Sequence, residues 1–465
     1  MTTARFKTED TIAAIATAPG SGGIGIIRLS GPLAEQILRQ LFRPHRPQSA
    51  WQSHRFCYGN IVDRSGMVLD EAMAVLMRAP HSYTRENVVE IQSHGSWPVL
   101  QAILAEVLAA GARPAEPGEF TKRAFLAGRI DLTRAEAVID LIEARTAASA
   151  QLAAEHLQGA LHSQISAIRD ALVEMLALIE VAIDFPDDAA EILPVDQLIS
   201  QLRSQVNEPL QNLLALAGQG KVLREGIRAV IAGRPNVGKS SLLNALLREE
   251  RALVADLPGT TRDTIEELIS VRGIPVHLVD TAGIRDHADA VEGLGIERAR
   301  RKMEQADLVL LVIDAAQELT ALDRQLYQSV GGKKRLVVLN KIDAAAPELA
   351  EQISLEFVQE TQVLTAAKRG QGIEALLDAI WQAAMGSSEG MDEQPACAPN
   401  LRHAMILEKA LAACQQLEQT LLAQQPADLI AVDLQTVLDY LADIVGLTTP
   451  DDVLDAVFSK FCIGK

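Results

Sequence analysis

The spacing of apolar positions divides the chain into three kinds of stretch. Up to about residue 128, short β-type runs ("GIGIIRLS", "AMAVLMRA", "NVVEIQSH") accompany one helix-like segment, "PVLQAILAEVLAAG", an α+β pattern. From "DLTRAEAVIDLIEA" to about Gly218 the apolar residues recur at helical spacing, with a break at "DFPDD". Residues 226 to about 385 alternate strand and helix, as a mostly parallel sheet requires. After the polar linker "GSSEGMDEQPACAPN", helical spacing resumes and continues nearly to the end.

Two helical blocks thus flank one α/β block. Each block carries apolar stripes that need a partner. The expected arrangement is one discontinuous helical domain (129–219 and 387–465) with the α/β domain (220–386) inserted, preceded by an α+β domain (1–128). Two independent small bundles are the alternative.

Composition adds limits. The 465 residues are 48% hydrophobic but only 3% aromatic, so the cores are expected to be Leu, Ile, Val and Ala. No apolar run approaches the ~20 residues that span a bilayer, and the N-terminus lacks the order of a secretory signal. The four cysteines (Cys57, Cys397, Cys414, Cys462) form no CxxC pair, which argues against a disulfide framework or thiolate zinc site. A cytoplasmic protein is expected. Net charge is −18, against a wide nucleic-acid grip. Residues 1–129 nevertheless hold 14 Lys and Arg against 11 Asp and Glu, so an anionic ligand is expected to meet that part.

The run "IRAVIAGRPNVGKSSLLNALL" reads as strand, tight loop and helix. It contains G-x-x-x-x-G-K-S at Gly233, Gly238, Lys239 and Ser240. Such a loop curls backbone N–H groups around phosphates; its lysine reaches the β and γ oxygens and its serine offers a hydroxyl to Mg²⁺. Asn236, Val237 and Ser241 belong to the same wrap. The motif serves ATP or GTP, and "NKID" decides between them. Asp343 can accept from both N1–H and the exocyclic amine of guanine, whereas adenine presents an acceptor where guanine has N1–H. Asn340 and Lys341 precede it.

"TAAK" places Ala366, Ala367 and Lys368 in the last base loop, where GTPases usually read Ser-Ala-Lys; here Ala366 replaces the serine. Asp280 ends the strand "VHLVD" within reach of a Mg²⁺ shell, followed by Thr281, Ala282 and Gly283, whose N–H can face a γ-phosphate. "PGTTRDT" (Pro258, Gly259, Thr260, Thr261 and onward) reads as a switch that closes when Thr261 joins the metal. The position after Gly283 is Ile284, where Ras-like GTPases carry the glutamine that orients water. Isoleucine has no hydrogen-bonding group.

At this point the chain resembles the MnmE family (also called TrmE), tRNA-modifying GTPases, over essentially its whole length. The resemblance rests on "AGRPNVGKSSLLNAL", "GTTRDT", "DTAGIR…VEGLGIERA", "PGEFTKRAFLAGRIDLTRAEAVIDLI", "AIDFPDD" and the terminal "FCIGK". It implies a homodimer that couples GTP hydrolysis to modification of the wobble uridine of certain tRNAs. It also implies a flavoprotein partner, MnmG (GidA), two of each chain, that supplies FAD, and a folate one-carbon unit such as 5-formyltetrahydrofolate. By the same resemblance, a potassium ion stands where an arginine finger would. Asn236, the carbonyls of Ala255 and Leu257, and Thr260 would hold it, with Asp256 in the same nucleotide loop. Glu292 would orient the water and Arg285 would steady the switch. The folate site would comprise Arg28, Glu90, Arg129 and Lys465, with Cys462 as a candidate thiol; a buried apolar cysteine is its alternative.

Two motifs are decoys. "GSGGIG" satisfies G-x-G-x-x-G, but a β-like segment follows it, so it reads as a glycine-rich turn and not a dinucleotide site. "CIGK" has the cysteine position of a prenylation signal without its residues. A GTPase switch of the ribosome-assembly type is the competing reading for function; it leaves "FCIGK" and residues 1–129 unexplained. A folate-dependent transferase regulated by GTP is a third.

Overall fold

The computed structural model describes residues 10–46, 51–185, 194–250, 266–280, 304–386 and 397–465. The chain forms two compact units: residues 1–139 with 156–194 and 419–465, and residues 140–155 with 195–418.

The first unit is built on a seven-stranded sheet. Its strands are β1 (Ile12–Ile15), β2 (Gly22–Ser30), β3 (Phe42–Pro44), β4 (Cys57–Val62), β5 (Val68–Met77), β6 (Val88–Gly95) and β7 (Arg113–Pro114), ordered β3-β4-β5-β6-β2-β1-β7. All pairings are antiparallel except β1 with β7. Strand alternation sets its two faces. Ile27 and Leu29 of β2, with Val89 and Ile91 of β6, point into one core. That core is closed by the helix Ala34–Leu41, whose buried residues 34, 37, 38 and 41 form one helical stripe, and by the helix Trp97–Ala109. Arg28 and Glu90 lie between those apolar positions and are direct cross-strand partners, so both emerge on the opposite face.

Sequence periodicity gives one helix in this region; the described residues form three. Ala34–Leu41 and Glu119–Leu126 span only eight residues each, too short for an apolar stripe to stand out. The glycine run is likewise more ordered than a turn. Gly22 onward is already β2, with an irregular register between Gly22 and Gly25, and no helix follows it.

The same unit contains the helix Ala160–Asp184, which packs on the helix Ala427–Val445. Buried residues recur along the first at Leu161, Ile165, Ile168, Leu172, Met175 and Ile179, alternating steps of four and three. Ile430, Leu434, Val437, Leu441 and Ile444 follow the same spacing on the second. The two helices come from opposite sides of the α/β segment in sequence.

The second unit holds a six-stranded sheet: β8 (Ile227–Ala232), β9 (Glu266–Val271), β10 (Ile274–Asp280), β11 (Leu308–Asp314), β12 (Arg335–Asn340) and β13 (Thr361–Thr365). The order is β13-β12-β11-β8-β10-β9, parallel except for β9. This is the Ras-like arrangement. Both faces are covered, so central strands read as unbroken apolar runs; every residue of β11, "LVLLVID", is buried. Leu310, Leu336 and Val338 pack on one side with Leu242 and Leu246 of the helix Lys239–Glu250 and with Leu376 and Ile380 of the helix Ile373–Met385. Val309, Leu311, Val337 and Leu339 pack on the other with Ile353 and Phe357. Among the described residues no helix is long and apolar enough to cross a membrane.

Candidate functional site

In an open parallel sheet, ligands bind beyond the carboxyl ends of the strands, where the connections diverge to either side. Here β8, with neighbours β10 and β11, ends at that point, and the loop 233–238 joins it to the helix Lys239–Glu250. Asn236 adopts a left-handed backbone (φ 64°) and Gly238 has φ 101°. A Cβ at position 238 would stand 2.3 Å from Asn340 Nδ2, so only glycine permits the approach. Lys239 is buried, and its ammonium donates to the carbonyls of Gly233 (3.0 Å) and Arg234 (2.9 Å). Ser240 sits exposed in the first turn of the helix.

The base end is wired to this loop. Asn340, fully buried at the end of β12, donates its amide to the Val237 carbonyl at 2.9 Å. Its oxygen accepts from the Ala367 N–H (3.1 Å) and the Thr365 hydroxyl (3.2 Å). Lys341 donates to the Asn236 carbonyl and to Asp314 Oδ2, each at 2.7 Å. Ala366, lacking the serine hydroxyl, is held through its backbone instead: its N–H donates to the Gln371 carbonyl at 2.9 Å. Asp343 forms an ion pair with Arg369, Oδ2 to Nε 2.9 Å. Arg234, inside the loop, donates to Gln317 and faces the buried carboxylate of Asp323, itself part of the capping box with Thr320.

A second cluster lies on the outer face of β2 and β6, in the first unit. Glu90 Oε1 takes Nε (2.9 Å) and Nη2 (2.8 Å) of Arg28, and Arg28 Nη1 donates to the Gly464 carbonyl at 3.1 Å. The Phe120 ring lies 5.8 Å from the Arg28 guanidinium, and the Phe120 N–H donates to the Lys465 carbonyl. Arg129 lies over the Tyr83 ring (4.9 Å) and donates to the Tyr83 carbonyl (3.0 Å). Burial pushes the Tyr83 phenol up, against its hydrogen bond with Thr121 and the positive charges of Arg129 and Arg28. Tyr83 is therefore within electrostatic reach of both arginines.

The helix carrying Phe120 is anchored by an ionic network. Arg123, 4% exposed, meets Glu119, Glu86 and Asp10, and Arg113 grips Glu119 and Asp10. Burial alone would raise the Glu119 carboxyl, but bonds from Arg113, the Glu116 N–H and Arg123 outweigh it and hold the group below its ordinary value.

The family model described as the MnmE helical domain matches residues 132–462, and that described as the GTP-binding protein TrmE N-terminus matches residues 11–129. A protein of Desulfotalea psychrophila named tRNA modification GTPase MnmE is 49% identical over 464 residues, 99% of either chain. Proteins of the same name from Geobacter sulfurreducens and Lactiplantibacillus plantarum are 46% and 47% identical over 98% of this chain, covering 99% and 98% of their own lengths. The chain belongs to the MnmE family.

Within this MnmE-family protein, the described residues bring Asn236, Val237, Gly238, Lys239, Ser240, Asn340, Lys341, Ala366 and Ala367 around one sheet end, with Asp343 on the loop after Asn340. They bring Arg28 and Glu90 together beside the C-terminal tail, with Arg129 across Tyr83. Cys462 is exposed, against the buried alternative; Cys57, Cys397 and Cys414 are the buried thiols, all raised by burial, the last two pushed up to about 12. Ala255, Asp256, Leu257, Pro258, Gly259, Thr260, Thr261, Thr281, Ala282, Gly283, Arg285 and Glu292 lie outside the described residues. Tyr83, Phe120 and Arg369 were missed in the sequence. Phe120 had a signal, the "PGEFTKRAF" run, but nothing local to Tyr83 or Arg369 announces its partners.

Proposed function

We propose that this protein is a potassium-dependent, homodimeric GTPase that acts with the flavoprotein MnmG on the wobble uridine of certain tRNAs, using a folate one-carbon unit. The observation that carries the reading is the bridge made by Asn340, which ties the phosphate loop at Val237 to the base loop at Ala367. Such a bridge makes base recognition and phosphate binding one unit. The relatives' name, tRNA modification GTPase, supplies the process.

The residues present suit the groups the family implies. A lysine whose ammonium is already gathered among loop carbonyls suits a triphosphate, and an exposed serine in the helix's first turn suits Mg²⁺. Asn236 is exposed in a left-handed bend beside that serine's loop, a fitting place for an amide ligand to potassium. When bound, that ion would supply electrostatic stabilisation of charge on the leaving phosphate. Glu292 would position water in place of the missing glutamine. Two arginines, a carboxylate and two aromatic rings suit a folate, whose glutamate carboxylates and pterin edge need those partners. FAD would come with the partner, as would most of the basic surface for tRNA.

The testing experiment is GTP turnover in KCl against NaCl at equal ionic strength, for the intact protein and for Asn236→Ala. Activation by potassium that the variant loses is the expected result. Equal rates in both salts overturn the potassium assignment.

A further inference from the structure

We propose that Arg369 is a specificity-determining positioning residue for the base-reading carboxylate of Asp343, an inference that rests on the guanine reading given above. The two side chains meet at 2.9 Å, Nε to Oδ2; that of Asp343 is 22% exposed and that of Arg369 is 70% exposed. An ion pair this open contributes little to fold stability. Its consequence falls on the ligand.

The backbone on both sides of the contact is fixed. Arg369 ends the short 3₁₀ turn Ala367–Arg369, whose first N–H is held by Asn340 and whose last donates to the Ala366 carbonyl at 2.8 Å. Asp343 follows Asn340 on the adjacent loop, where the Ile342 N–H donates to the Thr365 carbonyl. Without that contact the carboxylate would be free to turn, because an sp³–sp² torsion has only broad preferences. Guanine needs both oxygens at once, one for N1–H and one for the exocyclic amine. A guanidinium on Oδ2 fixes that rotation and leaves acceptor capacity on both oxygens, since each carboxylate oxygen has two lone-pair sites.

The sequence gives a reason for the device. The last base loop has Ala366 where a serine hydroxyl is usual. The Arg369–Asp343 pair is a side-chain tie between the two base-reading loops, alongside the Thr365–Asn340 bond at the strand ends. Arg369 thus restores rigidity at the point where the serine is absent.

The test is equilibrium binding of GDP, IDP and XDP to the full-length protein, to Arg369→Ala and to Asp343→Asn. IDP keeps N1–H and lacks the exocyclic amine. For Arg369→Ala the GDP dissociation constant is expected to rise about fivefold with IDP changed less than twofold, so that the preference for GDP over IDP contracts. Equal weakening of both ligands, or an unchanged preference, overturns the positioning role. Asp343→Asn is expected to lose GDP and gain XDP. If it does not, the guanine reading itself fails, separately from the role of Arg369.

Discussion

Asn340 and Val237 are 103 positions apart, yet the Asn340 amide donates to the Val237 carbonyl at 2.9 Å inside a fully buried setting. The opposite end of the same side chain accepts from the Ala367 N–H. Asn340→Ala therefore leaves a carbonyl and an N–H buried without these partners, each costing about 1–3 kcal/mol. The expected outcome is a lower thermal midpoint for the unfolding of the second unit and at least a tenfold loss of GDP affinity. Scanning calorimetry and titration calorimetry check the two parts.

Lys341 makes a different kind of link. Its ammonium serves the buried carboxylate of Asp314 and the Asn236 carbonyl. Lys341→Met strands that carboxylate, a loss on the order of 3 kcal/mol. Adding Asp314→Asn removes the stranded charge and should recover part of the stability but not the hold on Asn236. Urea unfolding of both single variants and the double variant measures the coupling.

The C-terminal tail is held by backbone geometry. Gly464 has φ 95°, and a Cβ there would come 2.5 Å from the Ile15 carbonyl oxygen. Gly464→Ala should lift the tail, releasing the carbonyl that Arg28 grips and the contact of Lys465 with Phe120. Under the proposed folate reading, tetrahydrofolate affinity is expected to fall about tenfold with GDP affinity unchanged. Titrating each ligand into the variant tests this, GDP serving as the internal control.

The ionic network under Phe120 predicts an acid response. The folded Glu119 carboxyl is held below the 4.5 of an unconstrained glutamate, so its stabilisation is complete above that value and fades as pH falls through and below it. Asp10, also lowered, adds in the same direction: burial opposes the shift, but hydrogen bonds and charge from Arg113 and Arg123 outweigh it. Stability of the first unit should drop more steeply below pH 4.5 in the wild type than in Glu119→Gln, which is weaker at neutral pH. Circular dichroism melts from pH 3 to 7 give the comparison.

The α/β domain was the most legible part of the sequence because its strands are buried on both faces. Unbroken runs such as "LVLLVID" and "RLVVLN" then declare themselves, and the loop motifs sit at their ends. The first unit was harder. Its short helices at Ala34 and Glu119 carry too few turns to show a period, and their order comes from the sheet beneath and from Arg123. The pair Arg28–Glu90 is 62 positions apart, and only strand register makes them neighbours. Arg369 was invisible for the same reason: an exposed arginine in a loop has no sequence mark until its partner is located.

In the proposed function, guanine recognition at Asp343 serves uridine modification. The most direct measurement is mass spectrometry of tRNA nucleosides after incubation with this protein, MnmG, a folate donor, potassium and GTP. The expected result is a uridine modified at C5 with the wild type, none with Asp343→Asn and GTP, and recovery when XTP replaces GTP for that variant. Unmodified uridine in the complete wild-type reaction, or modification that proceeds equally without any nucleotide, would contradict it.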